Sequence, residues 1–234
     1  MIRPAGRSTL RSEVLGWMDK QPNASVIYIS FGSGGVLSAD QITEMAWGIE
    51  LRAQRFIWVV HPPSKDGDKG NDISDYLPGE FMGSWLELVT RADLLHRCLC
   101  VLAWDCLILT SGNWSWRLGE LVLPATDSGF LDKSIILDPP LVGGFLSHCG
   151  WNSSLESTLN GVPMIAWPLY AEQKMIATFF VEELKVAIRP KVLPAKRIVR
   201  REEIEMMVMR KIVEEKEGDE MRARAKKEWG SSFE

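Results

Sequence analysis

Apolar residues in this chain gather in short solid runs, with few alternating stripes. Val26-Ile27-Tyr28-Ile29-Ser30-Phe31 is nearly unbroken, β-branched or aromatic, and stops at Gly32-Ser33-Gly34-Gly35. Such a run predicts a parallel strand covered on both faces, because a half-exposed strand would alternate. Ser38-Ala39-Asp40-Gln41 has the spacing of a capping box and predicts a helix to about residue 54. Phe56-Ile57-Trp58-Val59-Val60 reads as a second buried strand. Strand, glycine turn, helix and strand make a βαβ unit.

The pattern resumes at Val142-Gly143-Gly144-Phe145-Leu146, a short strand. Its loop, Ser147-His148-Cys149-Gly150-Trp151, leads into a helix over about 152–160, with Gly161 placed to end it. Pro163 precedes the strand Met164-Ile165-Ala166-Trp167; a loop through Pro168-Leu169-Tyr170 and a helix over about 172–184 follow. Val186-Ala187-Ile188-Arg189 is a last strand, and 201–229 holds two helical stretches of mixed charge, broken near Gly218-Asp219. The expected fold class is α/β, a Rossmann-like doubly wound parallel sheet. Residues 1–24 read as a lead-in and 25–234 as one domain. Within it, 83–133 keeps neither period while holding Trp85, Trp104, Trp114, Trp116 and three of the four cysteines. So long a structureless apolar stretch is foreign to a compact domain, and it reads as an atypical insertion.

Composition removes several classes of function. With 27 basic and 31 acidic side chains the net charge is −4, so no general attraction to nucleic acid or an anionic membrane is expected. The longest weakly charged stretch, 98–116, carries Asp105, Thr110, Ser111 and Asn113 and is not read as a membrane span. Cys98-Leu99-Cys100 lacks the two-residue gap of a zinc knuckle, so the cysteines are expected to be free thiols and no metal is expected. The N-terminus shows no signal-peptide core, which predicts a cytoplasmic protein.

In parallel sheets ligands bind beyond the carboxyl ends of the strands, where both informative loops fall. A helix beginning just after His148-Cys149-Gly150 would turn unpaired N–H groups and about half a positive charge toward that space, which suits a phosphate. His148 can donate to a phosphate oxygen as well. Glu156, one turn beyond Asn152 and Ser153, can accept from vicinal hydroxyls of a ribose, and Glu172 with Gln173 offers an acceptor and an amide to a sugar. Simpler readings stand beside these. The glycine turn can be only a turn, Asn152 or Ser153 only the helix cap, and Trp151 a core residue.

The order of residues goes further. The run from Val142 through His148-Cys149-Gly150-Trp151-Asn152-Ser153-Ser154-Leu155-Glu156-Ser157, then Asn160-Gly161-Val162-Pro163 through Pro168-Leu169-Tyr170-Ala171-Glu172-Gln173, resembles the plant secondary-product glycosyltransferase signature. Residues 25–35, Pro78-Gly79-Glu80-Phe81 and Arg189-Pro190-Lys191-Val192-Leu193-Pro194 resemble its hydroquinone and monolignol glucosyltransferase branch. The resemblance implies the C-terminal, donor-binding domain of a GT-B fold. It makes His148, Gly150 and the backbone at Asn152 and Ser153 the diphosphate contacts, with Ser33 approaching from the opposite loop. Glu156 becomes the ribose ligand, Glu172 and Gln173 the sugar ligands, and Trp151 a neighbour of the donor. The implied reaction is inverting transfer of glucose from UDP-glucose to a hydroxyl of a small phenolic acceptor, without metal or other cofactor. Gln173 points to glucose, since galactose users in the family often have His there.

Two departures accompany the resemblance. The family's general base is a histidine in the other domain, and His61, His96 and His148 do not correspond to it. This chain is therefore expected to carry the donor site without a catalytic residue and to turn over little or nothing alone. The signature should also open on Trp-Ala-Pro-Gln, whose place is taken by Phe130-Leu131-Asp132-Lys133 when counted back from His148. Phe130 can stack on uracil; Lys133 is a poor substitute for an amide. Trp104 is another candidate for the stacking ring, and Leu121-Val122-Leu123-Pro124 for the strand that precedes the motif. The excess chain between Phe81 and the signature has the character of translated non-coding sequence. A non-catalytic UDP-sugar-binding fragment and a poorly folding product are the rival readings.

Overall fold

The computed structural model describes residues 16–51 (Ser33 excepted), 55–60, Pro63, 120–124, Leu137, 140–207 (Leu193, Ala195 and Lys196 excepted) and 216–230. Among these residues six strands form one sheet: β1 (Val26–Ser30), β2 (Arg55–Val60), β3 (Glu120–Pro124), β4 (Val142–Ser147), β5 (Met164–Ala166) and β6 (Ala187–Ile188). Every pairing is parallel, and the order is β3-β2-β1-β4-β5-β6. This is the Rossmann order, in which the chain runs outward one way from β1 and then the other way from β4. The expected doubly wound sheet is therefore present. Within the segment read as an insertion, Leu121-Val122-Leu123-Pro124 forms a strand as expected: β3 pairs with β2 from Phe56↔Glu120 to Val60↔Pro124. The rest of that segment lies outside the described residues.

Solid apolar runs are explained by burial on both sides. Along β1, Ile27 and Ile29 enter one cluster while Val26 and Tyr28 enter the other; β2 divides likewise into Phe56 and Trp58 against Ile57 and Val59. Helix α1 (Ala39–Glu50) lays Ile42, Met45, Ala46 and Ile49 on the first face. On the second, helix α3 (Gln173–Thr178), continued by a π-helical turn over Phe179–Glu183, packs Ile176, Ala177 and Phe180. Helix α2 (Trp151–Leu159) joins β4 to β5, and α4 (Arg201–Glu205) and α5 (Lys216–Gly230) complete the described helices. The end of the lead-in is docked onto the domain, with Met18 fully buried and Trp17 packed beside it.

Three local outcomes refine the sequence reading. Ser38 caps α1 by accepting from the Gln41 N–H at 3.3 Å, but Gln41 does not complete the box. Its Oε1 instead accepts from Val199 N–H (2.8 Å) and its Nε2 donates to Val199 O (3.1 Å), pinning the segment before α4 to α1. Gly161 ends α2 as expected. At φ +68° it allows Val162 N–H to reach Ser157 O and its own N–H to reach Thr158 O, the Schellman pair. The break expected at Gly218-Asp219 does not exist, because α5 runs through it. Both residues lie in its first turn, where Asp219 complements the helix dipole and pairs with Arg222 at 2.8 Å.

α5 also stabilises an irregularity at the start of β4. The register with β1 shifts between Val26 and Ile27, skipping Gly143, and Ala24 O lies 2.1 Å from where a Gly143 Cβ would stand. Only glycine fits that bulge. Its carbonyl is met by Arg222 Nη1 at 3.0 Å.

Candidate functional site

Reversal of chain direction between β1 and β4 leaves a crevice beyond their carboxyl ends. The two strands finish in register, Ser30 opposite Ser147. Each buried hydroxyl steadies the turn after its own strand: Ser30 Oγ accepts from Gly32 N–H (3.4 Å) and Ser147 Oγ from Cys149 N–H (3.2 Å). These serines were passed over in the sequence, although a strand-final Ser two residues before a turn is the signal for such a bond.

The turns then meet through one ring. A Cβ on Gly32 would sit 2.7 Å from His148 Cε1 and Nε2, and one on Gly150 would sit 2.4 Å from Nε2. His148 is thus packed between the two glycines, and the loops expected to cooperate are in contact. Gly32 holds φ +71°, and Cys149 holds φ +64° despite its side chain. A non-glycine residue in that region is a strained position, of the kind that gathers at functional sites. Burial pushes the Cys149 thiol up to about 12, opposed in part by a hydrogen bond with the Trp167 backbone.

Helix α2 starts directly behind His148. Its N-cap is Gly150, which has no side chain to cap with, so neither Asn152 nor Ser153 plays the capping role of the simpler reading. Trp151 is half exposed at the helix start, its ring edge-on to Phe180 at 6.5 Å, and is not a core residue. Asn152 is exposed and Ser153 buried. Glu156 is half-buried one turn on, and its Oε2 is enclosed without a hydrogen-bond partner. An enclosed carboxylate oxygen is costly unless something donates to it, which fits a hydroxyl-bearing ligand. Behind it, burial holds the Tyr28 phenol above its ordinary range; a bond with Ser30 acts the other way, and the Glu156 charge adds to the rise.

The β5 loop is built by Gln173. Its Oε1 accepts from the N–H groups of Leu169 (2.9 Å) and Tyr170 (3.1 Å), leaving only the amide nitrogen for a ligand. Of the amide expected to face a sugar, the N–H end is the part left to donate. Glu172 is exposed at the start of α3. Tyr170, which the sequence reading did not single out, carries its hydroxyl 3.0 Å from where a Gly34 Cβ would be, so the β5 loop also reaches the β1 loop. Ser33, Phe130 and Lys133 lie outside the described residues. Among the described residues there is no group of three His, Cys, Asp or Glu that could hold a metal ion, and no helix long and apolar enough to cross a membrane.

The chain is similar to known proteins in sequence and in fold. The sequence profile of the UDP-glucoronosyl and UDP-glucosyl transferase family matches residues 130–189, which span β4 through β6. Anthocyanidin 3-O-glucosyltransferase 5 of Manihot esculenta is 43% identical over 250 residues, covering 99% of this chain and 44% of the relative. Hydroquinone glucosyltransferase of Rauvolfia serpentina is 43% identical over 187 residues, 76% of this chain and 32% of that protein. The crystal structure of TcCGT1 in complex with UDP superposes with a TM-score of 0.73 at 42% identity, over 100% of this chain and 43% of that one. The chain thus spans less than half the length of the relatives it matches.

Proposed function

This chain belongs to the plant family 1 UDP-glycosyltransferases and has the fold of a GT-B Rossmann-like domain, and on that premise we propose that its β1–β4 crevice binds UDP-glucose for transfer to a small phenolic hydroxyl. The observation that carries the proposal is the His148 ring wedged between Gly32 and Gly150 at the uncapped start of α2. An imidazole N–H and a helix N-terminus converge there, both suited to a diphosphate. Glu156, with its enclosed oxygen, accepts from the ribose hydroxyls; Glu172 and the Gln173 amide nitrogen meet the sugar; Trp151 flanks the donor. Ser33, Phe130 and Lys133 are assigned to the phosphate and uracil ends by resemblance alone.

In the reaction the acceptor oxygen attacks the anomeric carbon from the face opposite the nucleotide. The bond from that carbon to the diphosphate oxygen breaks, the configuration inverts, and UDP leaves with its new charge met by the helix dipole and His148. The proposal calls on no metal or cofactor and places the protein in the cytoplasm. Among the described residues His148 is the sole histidine, and it is committed to the leaving group. Deprotonation of the acceptor is therefore assigned to no residue of this site, and transfer itself belongs to the proposal for the full-length protein.

Calorimetric titration with UDP and UDP-glucose tests the reading, with near-UV circular dichroism as the check on folding. Micromolar binding is expected, weakened at least about tenfold by Glu156→Ala through loss of charge-assisted bonds to the ribose. A folded chain that ignores UDP, or a Glu156→Ala variant that binds as tightly, would overturn it.

A further inference from the structure

A cleft of about 430 Å³ opens beside Tyr170, between the first turn of α1, the β5 loop and the segment before α4. That volume falls in the range of small-molecule sites. Val36, Leu169, Pro194 and Ile198 give it apolar walls beside the Tyr170 ring, and Val36, Tyr170 and Ile198 are each more than a third exposed.

Each of its polar side chains has hydrogen left to offer, and Arg197 brings the positive charge. Ser38 Oγ already accepts from Gln41 N–H, so its own O–H remains. Gln41 has spent its oxygen on Val199 N–H and one amide hydrogen on Val199 O, which leaves the other N–H. Arg197 is exposed and in no ion pair among the described residues. Among the described residues no carboxylate lines the cleft. Asp40, on the first turn of α1, is exposed and outside the lining; Glu44, one turn further, is neutralised by Arg201 at 2.7 Å and Arg200 at 3.8 Å.

From apolar walls, available hydrogen-bond donors and a guanidinium in no ion pair among the described residues, we infer that this cleft is a binding site for a small aromatic monocarboxylate, its ring against Tyr170, Ile198 and Val36 and its carboxylate on Arg197 and Ser38. This goes beyond the donor-site reading and does not depend on it.

The whole chain is titrated with benzoate and with benzamide, a neutral molecule of the same shape, with ligand-observed NMR as the readout. Benzoate is expected to bind in the millimolar range or tighter and benzamide at least about fivefold more weakly. Arg197→Gln should lower benzoate affinity about tenfold and leave benzamide unchanged, as loss of a charge-assisted pair requires. Ile198→Glu, which sets a carboxylate in the wall, should abolish benzoate binding. Both positions are exposed, so the variants are expected to melt with the parent. Equal affinity for the two ligands, benzoate binding untouched by Arg197→Gln, displacement of benzoate by UDP, or no binding at 10 mM (roughly the weak limit for so small a ligand) would each overturn the inference.

Discussion

Gly150→Ala isolates the contact on which the donor-site reading rests. Its backbone, φ −65° and ψ 138°, is extended and open to alanine, so no conformational penalty accompanies the change. The whole effect is the new methyl group, 2.4 Å from His148 Nε2, 3.0 Å from Cε1 and 3.3 Å from Cδ2. Ordinary contact begins near 3.4 Å, so the ring must retreat by about 1 Å. Retreat toward Gly32 is limited, because its backbone lies so close that a Cβ built there would stand 2.7 Å from the ring. Overpacking of this kind costs about 1–3 kcal/mol of stability. Displacing the imidazole by 1 Å breaks its hydrogen-bond geometry to a diphosphate, so UDP affinity should fall about tenfold or more. The assay is titration of UDP into Gly150→Ala, His148→Ala and the double variant. If the methyl acts only through the ring, it adds little once the ring is gone, and the two losses are non-additive. Additive losses, or parental UDP affinity in Gly150→Ala, would refute the reasoning.

Glu44→Gln should cost about 2 kcal/mol, read from urea unfolding, because the Glu44 carboxylate accepts from the Arg201 backbone N–H and two guanidinium nitrogens at 2.7–3.3 Å. Those Arg201 bonds also hold the Glu44 carboxyl below its ordinary value near 4.5. The stability it contributes is therefore present above that value and lost as pH falls through the folded one. Glu44→Gln should flatten this part of the acid limb, and an unchanged pH profile would count against the pair. Gly143→Ala places a methyl 2.1 Å from the Ala24 carbonyl and should cost more than about 3 kcal/mol or prevent folding, read by thermal unfolding. Cys149, buried and with its thiol pushed up to about 12, should resist iodoacetamide at pH 8 in the folded chain and react on denaturation, followed by mass spectrometry of its peptide.

The sheet was legible because its strands are buried on both faces, and nothing else compels so many consecutive β-branched and aromatic residues. The residues from Glu120 to Pro124 were harder to read. Among the described residues they pair with β2 alone, and they lie inside a segment whose tryptophans and cysteines mask any period. The Gln41 side chain shows a second limit. Local spacing predicts a capping box, but Val199, 158 residues away, offers both an N–H and a carbonyl, and the two-bond tertiary pairing takes the glutamine. At Gly218 a residue that breaks helices in mid-course sits instead in the first turn, where its cost is smallest and Asp219 beside it is favoured.

At the site, sequence order supplied the participants and topology supplied their meeting. His148, Gly150 and Glu156 are neighbours along the chain, so one loop and one helix turn bring them together. Gly32 and Tyr170 come from other loops, and only the reversal between β1 and β4 carries the Gly32 turn onto the His148 ring. The glycines at 32 and 150 then acquire a reason that turn propensity does not give. One needs φ +71°, but the other is an unstrained cap, and what the two share is the absence of a side chain where the imidazole must lie. The same logic accounts for Gln173. An amide whose oxygen organises the β5 loop has one end left for a ligand, so its contribution to a sugar is directional, and a histidine in its place would have to rebuild the loop as well as the contact.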